Sequence, residues 1–513
     1  MKKISRISKV SLLLAVLFTV DKLLGVARQM VISRQFGLSA ELDVFNAANN
    51  LPDMLFMLIS GGALAIAFIP VLTEVLSKEG QAKAWDLFSN ILNIAFTVTA
   101  LLAIIIAIFA RPLVSSQLGV APGFTPEQID LTVSLLRLNL VATLIFSLSG
   151  LVMAGLQANQ HFLLPALAPI FYDIGQIFGA VVLAPSEPYQ IGGLRLPAYG
   201  LGVRGLVYGV IIGAALHLLI QVPGLVKYKF KWRPGISFTT PETKKVFRLM
   251  GPRLLSMLCI QSIFLIQDNL ASRLATGSVT ALTYGWWIMQ VPETLIGTAI
   301  ATAILPTLSE LFSNNEFDKL REKIERAAQV MLALTIPVAV IAGAVIFPVI
   351  QTVFGFDQAD SLRVTQVARI FLLGIVGHSL VELFVRSFYS MQKPKFPLVG
   401  SVVTLILYLI LGITLLPSFK VSGIAAANTI AYSVQAILLL FMLNKQFPAK
   451  QVLAPSALRG LLAAVLGGAA AYLVMQYTPG YSSTLISAIL GAIVGILLAG
   501  IVIRKDLRQL TNL

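Results

Sequence analysis

Of the chain's 513 residues, 57% are hydrophobic and 12% charged, against roughly 45–50% and about 25% in an average soluble domain. The excess lies in long apolar blocks, which excludes a soluble globule and marks an all-α polytopic membrane protein. The net charge of +15 does not indicate nucleic-acid binding, because the basic residues cluster between apolar blocks, as in cytoplasmic loops. The one cysteine, Cys259, lies in an apolar run and leaves no disulfide framework or cysteine metal site within one chain.

The N-terminus, "MKKISRISKVSLLLAVLF", resembles a signal peptide, but no small-residue cleavage site follows and the apolar stretch continues past Asp21 and Lys22. It reads as a retained first helix. A span needs about 20 apolar residues. Fourteen such runs follow, over 9–33, 41–76, 84–110, 128–157, 162–184, 200–226, 244–274, 279–312, 322–354, 362–391, 396–416, 421–445, 456–477 and 483–503. Several are too long for one straight span and are expected to tilt or bend. Lys and Arg crowd the even-numbered connections, among them "KYKFKWRPG" (227–235) and "DKLREK" (318–323). Odd-numbered connections carry about one each: Arg34, Arg111, Arg195, Arg273 and Lys420. This alternation puts both termini in the cytoplasm.

The chain repeats itself. "GLSAELDVFNAANNLPDML" (37–55) aligns without gaps on "GSVTALTYGWWIMQVPETL" (277–295), pairing Pro52 with Pro292 and Asp53 with Glu293. At a second constant offset Arg137 matches Arg369, Ser147 matches Ser379, and Gln160 matches Gln392. Helices 1–6 therefore resemble helices 7–12, which makes two parallel six-helix repeats plus two C-terminal helices. The expected organisation is an N-terminal lobe over 1–227, a basic cytoplasmic linker over 228–243, a C-terminal lobe over 244–446, and helices 13–14 with a tail over 447–513.

No Walker-type phosphate loop is present, so the chain is not read as an ATPase or other enzyme, and no cofactor is called for. His161, His217 and His378 are too far apart in sequence for a metal site. His378 reads as a packed, hydrogen-bonded histidine or a proton relay, and Glu382 and Arg386 as an ion pair on the same helix face. Ionisable groups at membrane depth usually face a bundle interior or a wet cavity. Here they are Asp21, Lys22, Arg28, Asp43, Asp53 and Arg137 in the first half, and Arg253, Asp268, Glu293 and Arg369 in the second. A cavity lined by Lys22 and Arg28 would attract an anionic, amphipathic cargo; the alternative pairs Asp21 or Asp43 with Arg28 as packing. Asp21, Asp43 and Asp268 are candidates for ion coupling. Gly61 and Gly62, in "ISGGALAIAFIP" (59–70), read as a hinge or a close helix contact. Trp286 and Trp287 read as an interfacial belt or a platform for a sugar.

Five stretches, "LLGVARQ" (23–29), "LDVFNAANNLPDML" (42–55), "GGALAIAFIPVLTE" (61–74), "MGP" (250–252) and "ILPTLSE" (304–310), resemble the MurJ (MviN) family of lipid II flippases of the MOP exporter superfamily. The resemblance covers essentially the whole chain. It implies two lobes around a cationic cavity, alternating access, and a groove for the lipid tail between helices 13 and 14. The implied cargo is the undecaprenyl-pyrophosphate-linked peptidoglycan precursor, moved from the inner to the outer leaflet of a bacterial plasma membrane. That is a step in cell-wall biogenesis and cell shape, with membrane lipids and cell-wall synthesis proteins as partners and a monomer as the working state. By position Arg28, Lys22 and Asp43 match family charges of helices 1 and 2, and Arg137, Arg253, Arg369 and Trp287 complete the candidate substrate-binding set. The chain departs from the family at Gln29, Phe56, Met57, Gly61, Trp286, Trp287 and Gln290, where the family usually carries charge. A diverged flippase, a paralogue for another lipid-linked glycan, a drug antiporter on the same fold and a non-transporting envelope scaffold all remain open at this point.

Overall fold

A computed structural model describes residues 6–61, 63–447, 452–478 and 485–510. It is all-helical apart from a two-residue hairpin, Gln190–Ile191 with Leu194–Arg195. Eleven helical stretches among the described residues are long and apolar enough to cross a bilayer. The chain divides into two compact units, Met1–Asn269 and Leu270–Leu513.

The first unit contains α1 (Arg6–Phe36), α2 (Ala40–Phe56), α3 (Ala63–Lys78), α4 (Gln81–Ile108), α5 (Ala110–Ser115), α6 (Pro126–Ala158), α7 (Leu163–Phe178), α8 (Val203–Leu219), α9 (Val222–Lys227) and nearly all of α10 (Pro241–Ala271). Ser39 caps α2 by accepting from the Leu42 amide, and Thr125 with Gln128 closes a capping box on α6. The long run at 41–76 is not a straight helix. A π-helical turn, Met57–Gly61, separates α2 from α3. It follows Pro52, whose missing N–H loosens the hydrogen-bond ladder one turn earlier. Of the two hinge candidates, Gly61 ends that turn, and Gly62 lies outside the described residues.

The α7–α8 seam is built on glycine. A Cβ on Gly179 would stand 2.6 Å from the Gly209 Cα, and one on Gly213 would stand 2.6 Å from the Tyr172 carbonyl oxygen. Small residues let the two backbones approach closely, so van der Waals packing between the helices replaces the hydrophobic drive that helices in a bilayer lack.

The basic segment after α9 lies along α4 as a strap. Trp85, Ser89, Asn90 and Asn93 form one stripe of α4. The Trp85 Nε1 donates to the Tyr228 carbonyl at 3.0 Å. Asn90 exchanges bonds with the Ser237 backbone at 2.8 and 2.7 Å. Asn93 donates to the Arg233 and Gly235 carbonyls, both at 2.9 Å, and accepts from the Trp232 Nε1 at 2.8 Å. Phe230 adds edge-on contacts to Trp85 and Phe88 at 5.2 and 5.1 Å. Each bond contributes about 0.5–1.5 kcal/mol net. Asn93→Ala removes three of them and is expected to speed tryptic cleavage at Lys229 and Lys231 by about tenfold or more, read by timed digestion. Unchanged cleavage would show that the Trp85 and Asn90 bonds and the aromatic contacts hold the strap without Asn93.

The second unit contains α11 (Ser278–Glu293), α12 (Ala299–Ser313), α13 (Phe317–Val349), α14 (Gln358–Ser390), α15 (Lys395–Asn444), α16 (Ala454–Tyr477), α17 (Leu485–Val502) and α18 (Arg504–Leu510). A π-helical turn, Thr294–Thr298, follows Pro292 between α11 and α12, as the turn between α2 and α3 follows Pro52. The 50-residue α15 is two helices joined at Lys420, whose φ is 50°. Gln160 and Gln392, paired in the sequence repeat, both adopt left-handed backbone, at φ 58° and 57°. The α6 and α14 helices, also paired, are each 33 residues long.

At the C-terminal end, Asp506 of α18 accepts from the Arg459 Nε at 2.8 Å and Nη2 at 2.7 Å, and from the Ser456 hydroxyl at 2.7 Å. Burial pushes the Asp506 carboxyl up, but the hydrogen bonds from Arg459 and Ser456 outweigh it and hold the group below its ordinary value of 3.8. A depressed carboxylate contributes stability that is complete above the unfolded value and is lost as pH falls through the folded one. A fluorescent label on α18 should therefore stay ordered from neutral pH down to about pH 4 and loosen only below it. Loosening near neutral pH would contradict this tie.

Candidate functional site

The site is built on α1, α2 and α7 of the first unit. Arg28 sits in the α1 stretch "LLGVARQ", with one small neighbour, Gly25, on the side facing α7. Its Nη1 donates to the Asp173 Oδ1 at 2.7 Å, with the two side chains 17% and 7% exposed. The Arg28 Nε is buried without a hydrogen-bond partner. Asp53 of α2 lies within electrostatic range of the Arg28 guanidinium and is solvent-exposed, although it follows Pro52 within a long apolar helix. Tyr172, next to Asp173, is in range of Arg28, Asp53 and Asp173 together. One to two turns before Arg28, the Lys22 ammonium stands 3.4 Å from the Asp21 carboxylate, with Lys22 extended to solvent.

This geometry corrects two expectations. The packing partner of Arg28 is Asp173, not Asp21 or Asp43. The face carried by Lys22 and Arg28 is also not simply cationic: Asp21, Asp53 and Asp173 set three carboxylates against two cations. Sequence reading missed Asp173, yet the signal was there, as a lone acid in the α7 stretch "LLPALAPIFYDIGQIF". A buried cation at this depth needs a counter-charge on a neighbouring helix, and Asp173 is the acid α7 offers.

Asp43 and Asp268 form a separate, buried group. They are 3% and 4% exposed and within electrostatic range of each other. Asn50 of α2 donates to the Asp268 Oδ2 at 2.6 Å and to the Phe264 carbonyl at 3.3 Å. Arg253 is half-buried on α10. Arg137 does not join the Arg28 group. Its Nε donates to the Ala107 carbonyl at 3.0 Å, and it lines a cleft walled by α5, α6 and α8. Its repeat partner Arg369 does the same in the second unit, donating from Nε to the Gly343 carbonyl at 2.8 Å. Both tie neighbouring helices.

Phe56 packs against Phe146 at 5.1 Å, and Phe146 reaches Tyr172 and His217 at 5.0 and 5.4 Å. His217 is buried and bonded to the Ser149 hydroxyl at 2.6 Å. In the second unit Trp287 lies half-buried with its ring edge-on to Phe354 at 6.2 Å, and Trp286 packs on Phe371 and His378. His378 stacks on Tyr432 at 3.8 Å, and its Nε2 pairs with the Asn428 Oδ1 at 3.0 Å, as a packed histidine should. Glu382 and Arg386 form the expected ion pair, with Arg386 Nε 2.9 Å from Glu382 Oε1.

The family model for the lipid II flippase MurJ matches residues 32–492. The lipid II flippase MurJ of Burkholderia cenocepacia is 28% identical over 436 residues, 83% of this chain and 81% of its own length. The probable lipid II flippase MurJ of Buchnera aphidicola is 27% identical over 425 residues, 82% of this chain and 80% of its own. A solved lipid II flippase MurJ in an inward closed conformation superposes with a TM-score of 0.78 at 21% identity, covering 96% of this chain and 99% of that one. An inward-facing multidrug resistance MATE family transporter of the MOP superfamily gives 0.66 at 16% identity, over 83% and 94%. The two structures speak to the fold, which agrees with the all-helical membrane architecture read from the sequence. The family model spans most of the chain, and the chain belongs to the lipid II flippase MurJ family.

Proposed function

We propose that this protein moves a polyprenyl-pyrophosphate-linked glycan, lipid II by family, from the inner to the outer leaflet of a bacterial plasma membrane. It does so as a transporter and not as an enzyme, by alternating access between lobes over 1–227 and 244–446, with both termini cytoplasmic. A sugar-pyrophosphate headgroup cannot cross hydrocarbon unaided, because its charges and hydrogen-bonding groups would be stripped of water. An inside-negative potential favours outward movement of anions by about 2.3 kcal/mol per charge per 100 mV.

The observation that carries the reading is the Arg28–Asp173 pair beside an exposed Asp53 within apolar helices. Arg28 is held oriented by one carboxylate and keeps a buried Nε with no partner. A diphosphate offers more acceptor oxygens in the same fork geometry. Arg28 then exchanges Asp173 for cargo, and Asp173 recaptures it after release. This exchange keeps the guanidinium paired in both states, so the empty carrier never buries a lone charge. Lys22 extends the cationic contact, Asp43, Asp21 and Asp268 serve ion coupling, Trp287 takes the sugar side, and Gly61–Gly62 is the hinge.

The exposed faces of α16 and α17, with Leu458, Leu461, Val465, Ile493, Leu497 and Ile501 each about half exposed or more, supply an apolar wall for the tail. The test is flipping of fluorescent lipid II in proteoliposomes of the purified protein. Flipping is expected with the wild type; its absence, with drug efflux in its place, would overturn the reading.

A further inference from the structure

The cleft that Arg137 lines holds three arginines and one carboxylate. Arg111 of α5, Arg137 of α6 and Arg204 of α8 converge with Asp130 around a volume of about 590 Å³. Arg111 pairs with Asp130, and Arg137 spends its Nε on the Ala107 carbonyl. That leaves a formal excess of two positive charges. It sits on the side of connections 109–125 and 185–202, where the basic-residue alternation expects cation scarcity. Arginines gathered against that rule form a candidate anion site.

The surroundings say which kind. One turn from each arginine the helices present exposed apolar side chains: Ile108 at 65%, Val141 at 44% and Tyr208 at 40%, with Ile104 at 56% a turn further along α4. A phosphate cradle that continues into an apolar wall has the shape of a lipid, with headgroup above and acyl chain below.

The internal repeat supplies a control. Arg137 and Arg369 correspond, and each bonds a carbonyl of the preceding long helix, Ala107 and Gly343, so that shared contact is structural. The other two arginines have no counterpart. Pro112 aligns with Pro348, which sets Arg111 against Phe347. "VRG" (203–205) aligns with "VSG" (421–423), which sets Arg204 against Ser422, and Asp130 falls against Leu362. The first repeat has thus added charge to a helix tie that needs none.

We propose that Arg111, Arg137 and Arg204 form a lateral binding site, separate from the Arg28 group, for the phosphate of an anionic membrane lipid in the outer leaflet. Fork-shaped guanidinium groups match phosphate oxygens bidentately, and a net charge of two selects an anionic headgroup over a zwitterionic one. The site does not depend on the flippase reading, since its readout is binding alone.

Native mass spectrometry of the detergent-purified full chain, titrated separately with phosphatidylglycerol, phosphatidylcholine and inorganic pyrophosphate, tests it. Wild type should retain phosphatidylglycerol in preference to phosphatidylcholine. The double variant Arg111→Gln/Arg204→Gln should lose affinity for it by about tenfold or more. Arg363→Gln, a half-buried arginine of α14 that bonds the Thr276 carbonyl, should change nothing. Thermal unfolding of the double variant at the wild-type temperature excludes misfolding as the cause. Equal phosphatidylglycerol binding in the folded double variant overturns the site, and equal binding of phosphatidylcholine by wild type overturns its charge selection. Pyrophosphate bound where phosphatidylglycerol is not would overturn the lipid assignment.

Discussion

Arg28→Ala is expected to abolish rescue of a strain depleted of its lipid II flippase, and to cut lipid II flipping in proteoliposomes by about tenfold or more. The size follows from the lost charge-assisted bonds to diphosphate, each worth about 1.5–3 kcal/mol. The same substitution strands Asp173, which is 7% exposed, without its partner. Breaking a buried pair from one side costs about 3–5 kcal/mol, so misfolding alone would also remove activity. The double variant Arg28→Ala/Asp173→Ala separates the two. It removes both members of the buried pair at once and leaves only the exposed Asp53 without its cation, so abundance and melting temperature should recover. If Arg28 is only a packing device, flipping recovers with them. If Arg28 holds cargo, the folded double variant still fails to flip. Recovery of flipping in the double variant would remove Arg28 from the transport mechanism.

The second large effect is structural. Gly213→Leu is expected to destabilise the first unit by about 3 kcal/mol or more, read as a lower melting temperature in detergent and a lower yield. Overpacking is tolerable where a flexible side chain can move aside. Here the first atoms met are the Tyr172 carbonyl oxygen at 2.6 Å and its ring at 2.7 Å, so the α7 backbone itself must shift. Tyr172 precedes Asp173, and the displacement carries the carboxylate away from Arg28. Lipid II flipping should therefore fall further than the loss of folded protein explains. Gly251→Ala, where an added Cβ meets nothing within 4 Å, is the matched control on α10. A Gly213→Leu protein that melts and flips like wild type would show that α7 and α8 can separate at little cost.

The contrast between these two residues shows what was readable in advance. Arg28 stood out because an ionisable group inside an apolar run is costly wherever it points. Gly213 lies in a helix where glycine is unremarkable by composition, and only the approach of α7 gives it a consequence. Asp173 falls between them. Its charge was visible, but nothing in the order of residues connects position 28 with position 173.

The amino-acid sequence by itself determined the solvent this protein folds in, its all-helical character, and the internal repeat. Each depends on local properties: length of apolar sequence, proline and glycine breaks, and spacing along one chain. Pro52 and Pro292, paired in the repeat, each stand shortly before a π-helical turn, a likeness that local sequence carries from one half to the other. The tertiary structure alone decided which charges meet. It gave Arg28 to Asp173, put Asp43 beside Asp268, and turned Arg137 away toward Arg111 and Arg204. Helices that are apolar on nearly every face carry little amphipathic signal to fix their rotation, so the facing of a lone charge is set by how neighbouring helices pack and not by the residues beside it.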